Sequence, residues 1–214
     1  MRALFFGDSL TEGTNCDCNY TEFLPGGWAV HNLAVSGTTI GDYSIYPVDG
    51  NSLLDKIREN KNLVALADTI FIEYGTNDIS AVMCGFTTTN KIVISLVKAL
   101  DWIKQLNPNA NIVFLIPSED DDILKSLAEA MCDYLEKDYF KQFHFSFPVN
   151  VYVNFLRQLL DDIQKLCTVM PMFDRGMIDC TGEIDKKYMS DDNIHPNRYG
   201  HLRIARNIIE SYHF

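Results

Sequence analysis

The chain alternates short apolar runs with longer segments whose apolar residues recur every three or four positions. That alternation marks repeated β-α units and restricts the fold to a mainly parallel sheet covered by helices on both faces. Five runs read as strands, at residues 3–7, 28–33, 69–74, 111–116 and 176–180. Between them, Ile92, Val93, Leu96, Val97, Leu100 and Ile103 trace one buried helix face, which Asn107-Pro108-Asn109 ends. The same period runs through Ile123, Leu124, Leu127, Met131 and Leu135, through Phe155, Leu156, Leu159, Leu160 and Ile163, and through Leu202, Ala205, Ile208, Ile209 and Tyr212. A weaker helix covers 53–65. No repeat, low-complexity tract or Pro/Gly/Ser linker divides the chain, so residues 1–214 read as one domain.

At 214 residues a folded chain buries roughly 70% of the surface it exposes when unfolded, so it needs neither disulfide nor metal to hold together. Eighteen Lys and Arg against 29 Asp and Glu give a net charge of −11. With no basic run, that balance excludes nucleic acid as a partner. The opening Met1-Arg2-Ala3-Leu4-Phe5-Phe6 lacks the apolar run of a signal peptide, and the six cysteines read as reduced thiols, which together predict a cytoplasmic protein. The longest uncharged apolar stretch, 112–117, is too short to span a bilayer, so no stable membrane insertion is expected. Nothing in the sequence signals an oligomeric state.

In open parallel sheets, ligands sit beyond the carboxyl ends of the strands. The loops there begin Gly7-Asp8-Ser9, Ala34-Val35-Ser36-Gly37, Gly75-Thr76-Asn77-Asp78 and, further along, Asp192-Asn193-Ile194-His195. Each has a bland reading: a helix-capping serine, a turn glycine, an Asx turn and a surface histidine. Each also has a chemical one. A serine hydroxyl becomes a nucleophile only beside a base that is itself oriented by a third group. His195 is a candidate base for Ser9, and Asp192, three residues earlier, is spaced to hold one ring nitrogen while the other faces the serine; Asp191 is the alternative carboxylate. Gly37, through its backbone N–H, and Asn77, through its side-chain amide, are candidate donors to an oxyanion.

The four blocks Gly7-Asp8-Ser9-Leu10-Thr11-Glu12-Gly13, Asn32 to Gly37, Gly75-Thr76-Asn77-Asp78 and Asp192-Asn193-Ile194-His195 resemble, in order, the signature blocks of the GDSL, or SGNH, hydrolase family. The resemblance implies an α/β fold, a three-layer α/β/α sandwich with a five-stranded, flavodoxin-like parallel sheet. It implies ester hydrolysis with no metal or other cofactor, with Ser9 as nucleophile, His195 as base and Asp192 as its partner. The implied oxyanion hole is the Ser9 amide, the Gly37 amide and the Asn77 side chain. Two departures stand out: Ala34 replaces the second glycine common in the second block, and the 118–148 stretch is longer than the usual link after the fourth strand.

The substrate implied is a small-molecule or carbohydrate ester; acetylated carbohydrates, longer acyl esters and thioesters all fit, as does transfer of the acyl group to an alcohol or sugar. From another class, a flavodoxin-like module binding a phosphorylated ligand uses the same strand ends. The blocks, however, contain neither a glycine-rich phosphate loop nor any Lys or Arg.

Phe140, Phe143, Phe145 and Phe147, with Tyr152 and Phe155 just beyond, read either as packing under a loop or as an acyl-binding wall or self-association patch. Cys16-Asp17-Cys18 lacks zinc-ligand spacing and is expected to bind no metal, although its closeness to Ser9 makes it a candidate pocket lining. Asp8 is expected to hold its own loop, and Asp78 to support Asn77 or cap a helix. The acidic run Glu119-Asp120-Asp121-Asp122 fits the first turn of a helix and is given no catalytic role.

Overall fold

The computed structural model describes residues 1–43, 52–136, 148–179, 181 and 183–212. Five parallel strands, β1 (Arg2–Gly7), β2 (Ala29–Asn32), β3 (Thr69–Glu73), β4 (Asn111–Ile116) and β5 (Thr168–Pro171), lie in the order β2-β1-β3-β4-β5. Alternate residues feed two cores, because side chains on a strand point to opposite faces. Leu4, Phe6, Ile70, Ile72 and Phe114 pack under α2 (Leu53–Glu59), α3 (Lys61–Leu66), α4 (Thr76–Met83), α5 (Thr89–Leu106) and α7 (Val149–Gln164). Ala3, Phe5, Phe71, Val113 and Leu115 face the other way, onto Ile204, Ala205 and Ile208 of α8 (Arg198–Ser211). There the Phe5 and Phe71 rings stack with centroids 4.5 Å apart. The layers are those of the expected α/β/α sandwich.

The strand order places a switch point between β1 and β3, since the chain leaves β1 toward one edge and returns to β3 on the other side. Loops leaving these two strands diverge and open a crevice at their carboxyl ends. The short helix α1 (Ser9–Glu12) follows β1 directly, and α4 follows β3 after only two residues.

Two expectations need correction. The fifth strand is not 176–180. Gly176 lies in a one-turn 3-10 helix, Arg175–Met177, and Ile178 makes an isolated antiparallel bridge to Ile184; Cys180 falls outside the described residues. The strand that pairs with β4 is Thr168–Pro171, entered three residues after α7 ends. Its run is only four residues long and closes on a proline, which an edge strand accommodates because the missing N–H has no neighbour to serve. The helix expected over 53–65 is two, α2 and α3, divided at Asn60, whose side chain donates to the Lys56 carbonyl at 2.9 Å and competes with the continuing ladder. The long stretch after β4 contains α6 (Asp121–Tyr134), which Asp120 caps by accepting from the Asp122 amide, as the acidic run predicts.

Candidate active site

Gly7 ends β1, where a Cβ would meet Thr11 Oγ1 at 2.5 Å and the Glu73 carbonyl at 3.2 Å, so only glycine lets the chain turn straight into α1. Asp8 caps that helix by accepting from the Leu10 amide at 3.1 Å. Gly13 closes it at φ 92°, in the left-handed region that favours glycine. Ser9 is thereby held at the crevice.

His195 arrives from the far end of the chain on a tight loop. Asn193 adopts φ 57°, the Ser190 amide donates to the His195 carbonyl at 2.8 Å, and Met189 bridges to Pro196. Asp192 Oδ1 accepts from the Ile194 and His195 amides at 2.9 and 3.0 Å, which fixes the carboxylate before its other oxygen acts. That oxygen lies 2.6 Å from His195 Nδ1, and His195 Nε2 lies 2.9 Å from Ser9 Oγ. With Nδ1–H donating to the carboxylate, Nε2 is left to accept from the serine. Partial burial pushes the Asp192 carboxyl up, but the hydrogen bonds from the His195 ring and backbone outweigh it and hold the group below the usual carboxylate range. Asn15, at φ 63°, donates its amide to the same Asp192 oxygen at 2.7 Å. Nothing in the sequence points to Asn15, because a lone loop asparagine carries no pattern.

The second loop is tied to the first. Asn32 Nδ2 donates to the Thr11 carbonyl at 2.8 Å, the Val35 amide to the Gly7 carbonyl at 3.0 Å, and the Ser36 amide to Glu12 at 3.0 Å. Ala34 does no harm here, since its amide simply donates to Asn32 Oδ1 at 3.1 Å; the left-handed residue is Gly37, at φ 77°. From β3, Asn77 sits in the first turn of α4 and donates through Nδ2 both to Asp8 Oδ2 at 3.1 Å and to the Thr38 carbonyl at 3.0 Å. Asp78 is expected from the sequence to support Asn77 or cap a helix. Instead, Asp78 Oδ1 accepts from the Ile40 amide and the Tyr43 hydroxyl at 3.0 and 2.9 Å, because the turn of α4 carries it away from the crevice.

Beneath Ser9 and Asn77 lie three buried acids, Asp8, Glu73 and Asp78. Among the described residues none of them meets a Lys, Arg or His side chain at ion-pair distance. Glu73 Oε2 accepts from Thr11 Oγ1 at 3.1 Å, and its other oxygen has no hydrogen-bond partner. Burial pushes Glu73 and Asp78 each up to about 7, and burial followed by the Glu73 charge raises Asp8 well above the carboxylate range.

Ser9, Gly37, Asn77, Asp192 and His195 all line one cavity of about 350 Å³. These residues, with Thr14, Asn15, Ser36 and Thr76, make its polar part, and most of the remaining wall is apolar, including Leu127, Met131 and Tyr134 of α6, Tyr152 and Leu156 of α7, and Ile194. Helical period marks Leu127, Met131 and Leu156 as core, and nothing in it separates wall residues from core residues on the same face. The Phe140, Phe143, Phe145 and Phe147 segment lies outside the described residues. Tyr152 is buried, with its hydroxyl donating to the Thr76 carbonyl at 3.0 Å. Among the described residues Thr14 and Asn15 line the cavity, whereas Cys16 and Cys18 do not. Asp120 and Asp121, at the start of α6, are not among its lining: Asp121 pairs with Arg157 at 2.7 Å and Asp120 with Arg175. No helix of the described residues is long and apolar enough to cross a membrane.

The model of the GDSL-like Lipase/Acylhydrolase family matches residues 5–203, and the chain belongs to that family of hydrolases. Solved structures share its fold. A lipase from a goat rumen metagenome superposes with a TM-score of 0.61 at 12% identity, over 98% of this chain and 96% of that one. The psychrotrophic esterase EstA from Pseudoalteromonas sp. gives 0.59 at 16%, over 98% and 95%. The acetylxylan esterase Axe2 from Geobacillus stearothermophilus, seen as a catalytic mutant, gives 0.57 at 15%, over 98% and 92%. No curated protein matches the sequence.

Proposed function

We propose that this hydrolase is a serine esterase in which Ser9 is the nucleophile, His195 the base and Asp192 the group that orients it. The carrying observation is the unbroken relay from Asp192 through His195 to Ser9, at 2.6 and 2.9 Å, opening on an apolar cavity. As Ser9 Oγ attacks the ester carbonyl, its proton passes to His195 Nε2, and Asp192 stabilises the imidazolium. The tetrahedral oxyanion is held by the Ser9 and Gly37 amides and by Asn77 Nδ2, which then shares one of its protons between the Thr38 carbonyl and the oxyanion. His195 returns its proton to the leaving alcohol, giving an acyl-Ser9 ester. Water, deprotonated by the same His195, releases the acid. The reaction requires neutral His195, because Nε2 must take up the Ser9 proton.

An acetyl group fills roughly the space of two waters, about 60 Å³. The cavity is several times larger and apolar over most of its wall, which supports a carboxylic ester with a longer acyl chain in preference to a carbohydrate acetate. The family match over 5–203 also supports reading residues 1–214 as one domain.

Hydrolysis of p-nitrophenyl esters from acetate to long acyl chains, with Ser9→Ala as comparison, tests the reading. Wild type should cleave the esters, Ser9→Ala should lose roughly three orders of magnitude or more in kcat, and a fluorophosphonate should label Ser9. Labelling elsewhere, or a Ser9→Ala variant that keeps its rate, rejects the assignment.

A further inference from the structure

The loop that leaves α1 brings two thiols together outside the cavity. Cys16 Sγ and Cys18 Sγ are 3.3 Å apart; Cys16 is half-buried and within reach of solvent, while Cys18 is 6% exposed. Asn15 immediately precedes them. Its side chain holds the Asp192 oxygen that faces His195, and its carbonyl accepts from Ser190 Oγ at 3.3 Å. The dithiol therefore adjoins, one residue away, a contact that orients the catalytic carboxylate.

We propose that Cys16 and Cys18 are a redox modification site, oxidised by exchange with a small-molecule disulfide to an intraloop disulfide that loosens the Asn15 to Asp192 contact and slows the enzyme. The thiolate of Cys16, the more exposed sulfur, attacks the small disulfide RSSR, forming Cys16–S–S–R and releasing one RS⁻, which takes up the proton Cys16 lost. Cys18 then gives up its proton and attacks Cys16 Sγ, expelling the second thiol. Two protein thiols are oxidised by two electrons and one RSSR is reduced to two RSH. Burial, and then the hydrogen bond with Cys16, pushes the Cys18 thiol up to about 12, which suits it to the resolving role and not to the first attack.

A soft metal is the competing occupant, and the geometry favours it less. Two thiolates on a tetrahedral zinc, each at about 2.3 Å, stand roughly 3.7 Å apart. The present sulfurs are closer, and among the described residues Asp17 is the one further ligand in the group. Closing a direct bond, at about 2.05 Å, draws the sulfurs together by more than an ångström, and the strain falls on the backbone beside Asn15.

The effect on rate rests on the roles proposed above for Asp192 and His195, whereas formation of the disulfide does not. The test incubates the reduced full-length chain with oxidised glutathione and follows intact mass, non-reducing peptide maps, ester hydrolysis and the His195 ring titration by NMR. The expected result is a Cys16–Cys18 cross-link two hydrogens lighter, with kcat lowered about tenfold and restored by dithiothreitol. Cys16→Ser and Cys18→Ser should each keep the wild-type rate and ignore the oxidant. Mixed disulfides only at Cys84, Cys132 or Cys167, or zinc retained stoichiometrically by the pair after dialysis, overturn the site. A cross-link that changes neither the rate nor the His195 titration overturns the coupling. Should no ester be cleaved, the proposed function fails alone, and mass and titration still decide this inference.

Discussion

Asn77 owes its position to a carboxylate from another strand. Asp8 accepts from Asn77 Nδ2 and from the Leu10 amide, so one side chain aligns both the proposed oxyanion donor and the helix that carries Ser9. Replacing Asp8 by Ala should lower kcat roughly ten- to a hundredfold with KM nearly unchanged, because a donor that acts on the transition state is lost while ground-state binding stays; steady-state kinetics separates the two. Glu73 carries a different consequence. Its folded pKa, pushed up by burial to about 7, exceeds the ordinary value of 4.5, so between those values the folded chain holds a proton that the unfolded chain releases. Stability from this group is therefore full below about pH 4.5 and falls as pH rises toward 7. Glu73→Gln should flatten that fall and, above pH 7, gain on the order of 3 kcal/mol in denaturant unfolding. Ser9, Gly37, Asn77, Asp192 and His195, the residues proposed for the site, could be picked out in the sequence because their types and loop positions suggest a chemistry, and they line one cavity. The support beneath them could not: Asp8 and Asp78 each sit beside a candidate residue, and only the first turn of α4 decides which one meets Asn77.

At the scale of elements, the cavity is a product of α6 and α7, which turn part of one helix face toward the crevice and the rest toward the sheet. Met131, 4% exposed, lies on that boundary. Met131→Trp should shorten the cavity, so that kcat/KM for long-chain esters falls at least about tenfold relative to acetate; an unchanged chain-length profile would place the acyl group elsewhere. The strands β1, β3 and β4 were legible because they are buried on both faces and read as unbroken apolar runs. At the sheet edge the signal weakens. Only Met170 of β5 is fully buried, and its four residues resemble the loop around them until pairing with β4 is known. The break between α2 and α3 leaves no trace in the apolar spacing, because Asn60 interrupts the helix through a hydrogen bond.

For the whole molecule, a net charge of −11 surrounds the crevice. Anionic esters should accordingly be cleaved more slowly than neutral ones at low salt and recover as ionic strength rises, while neutral esters show little change; a salt series on a matched pair of substrates measures this. The alternation of apolar runs and helical periods was enough to give the layer architecture, since a parallel sheet has few other ways to bury both faces. Strand order was not read from the sequence, because spacing along the chain does not say which edge a strand joins.

Ser9 and His195 touch across 186 positions of chain, one on the first loop of the sheet and the other just before α8. Such a contact is among the costliest in loop entropy, and pairing of the strands between shortens the loop it must close. On the roles proposed for Ser9 and His195, a chain not yet made as far as residue 195 lacks the base, so a growing molecule is harmless to the esters around it until that loop has been made and docked.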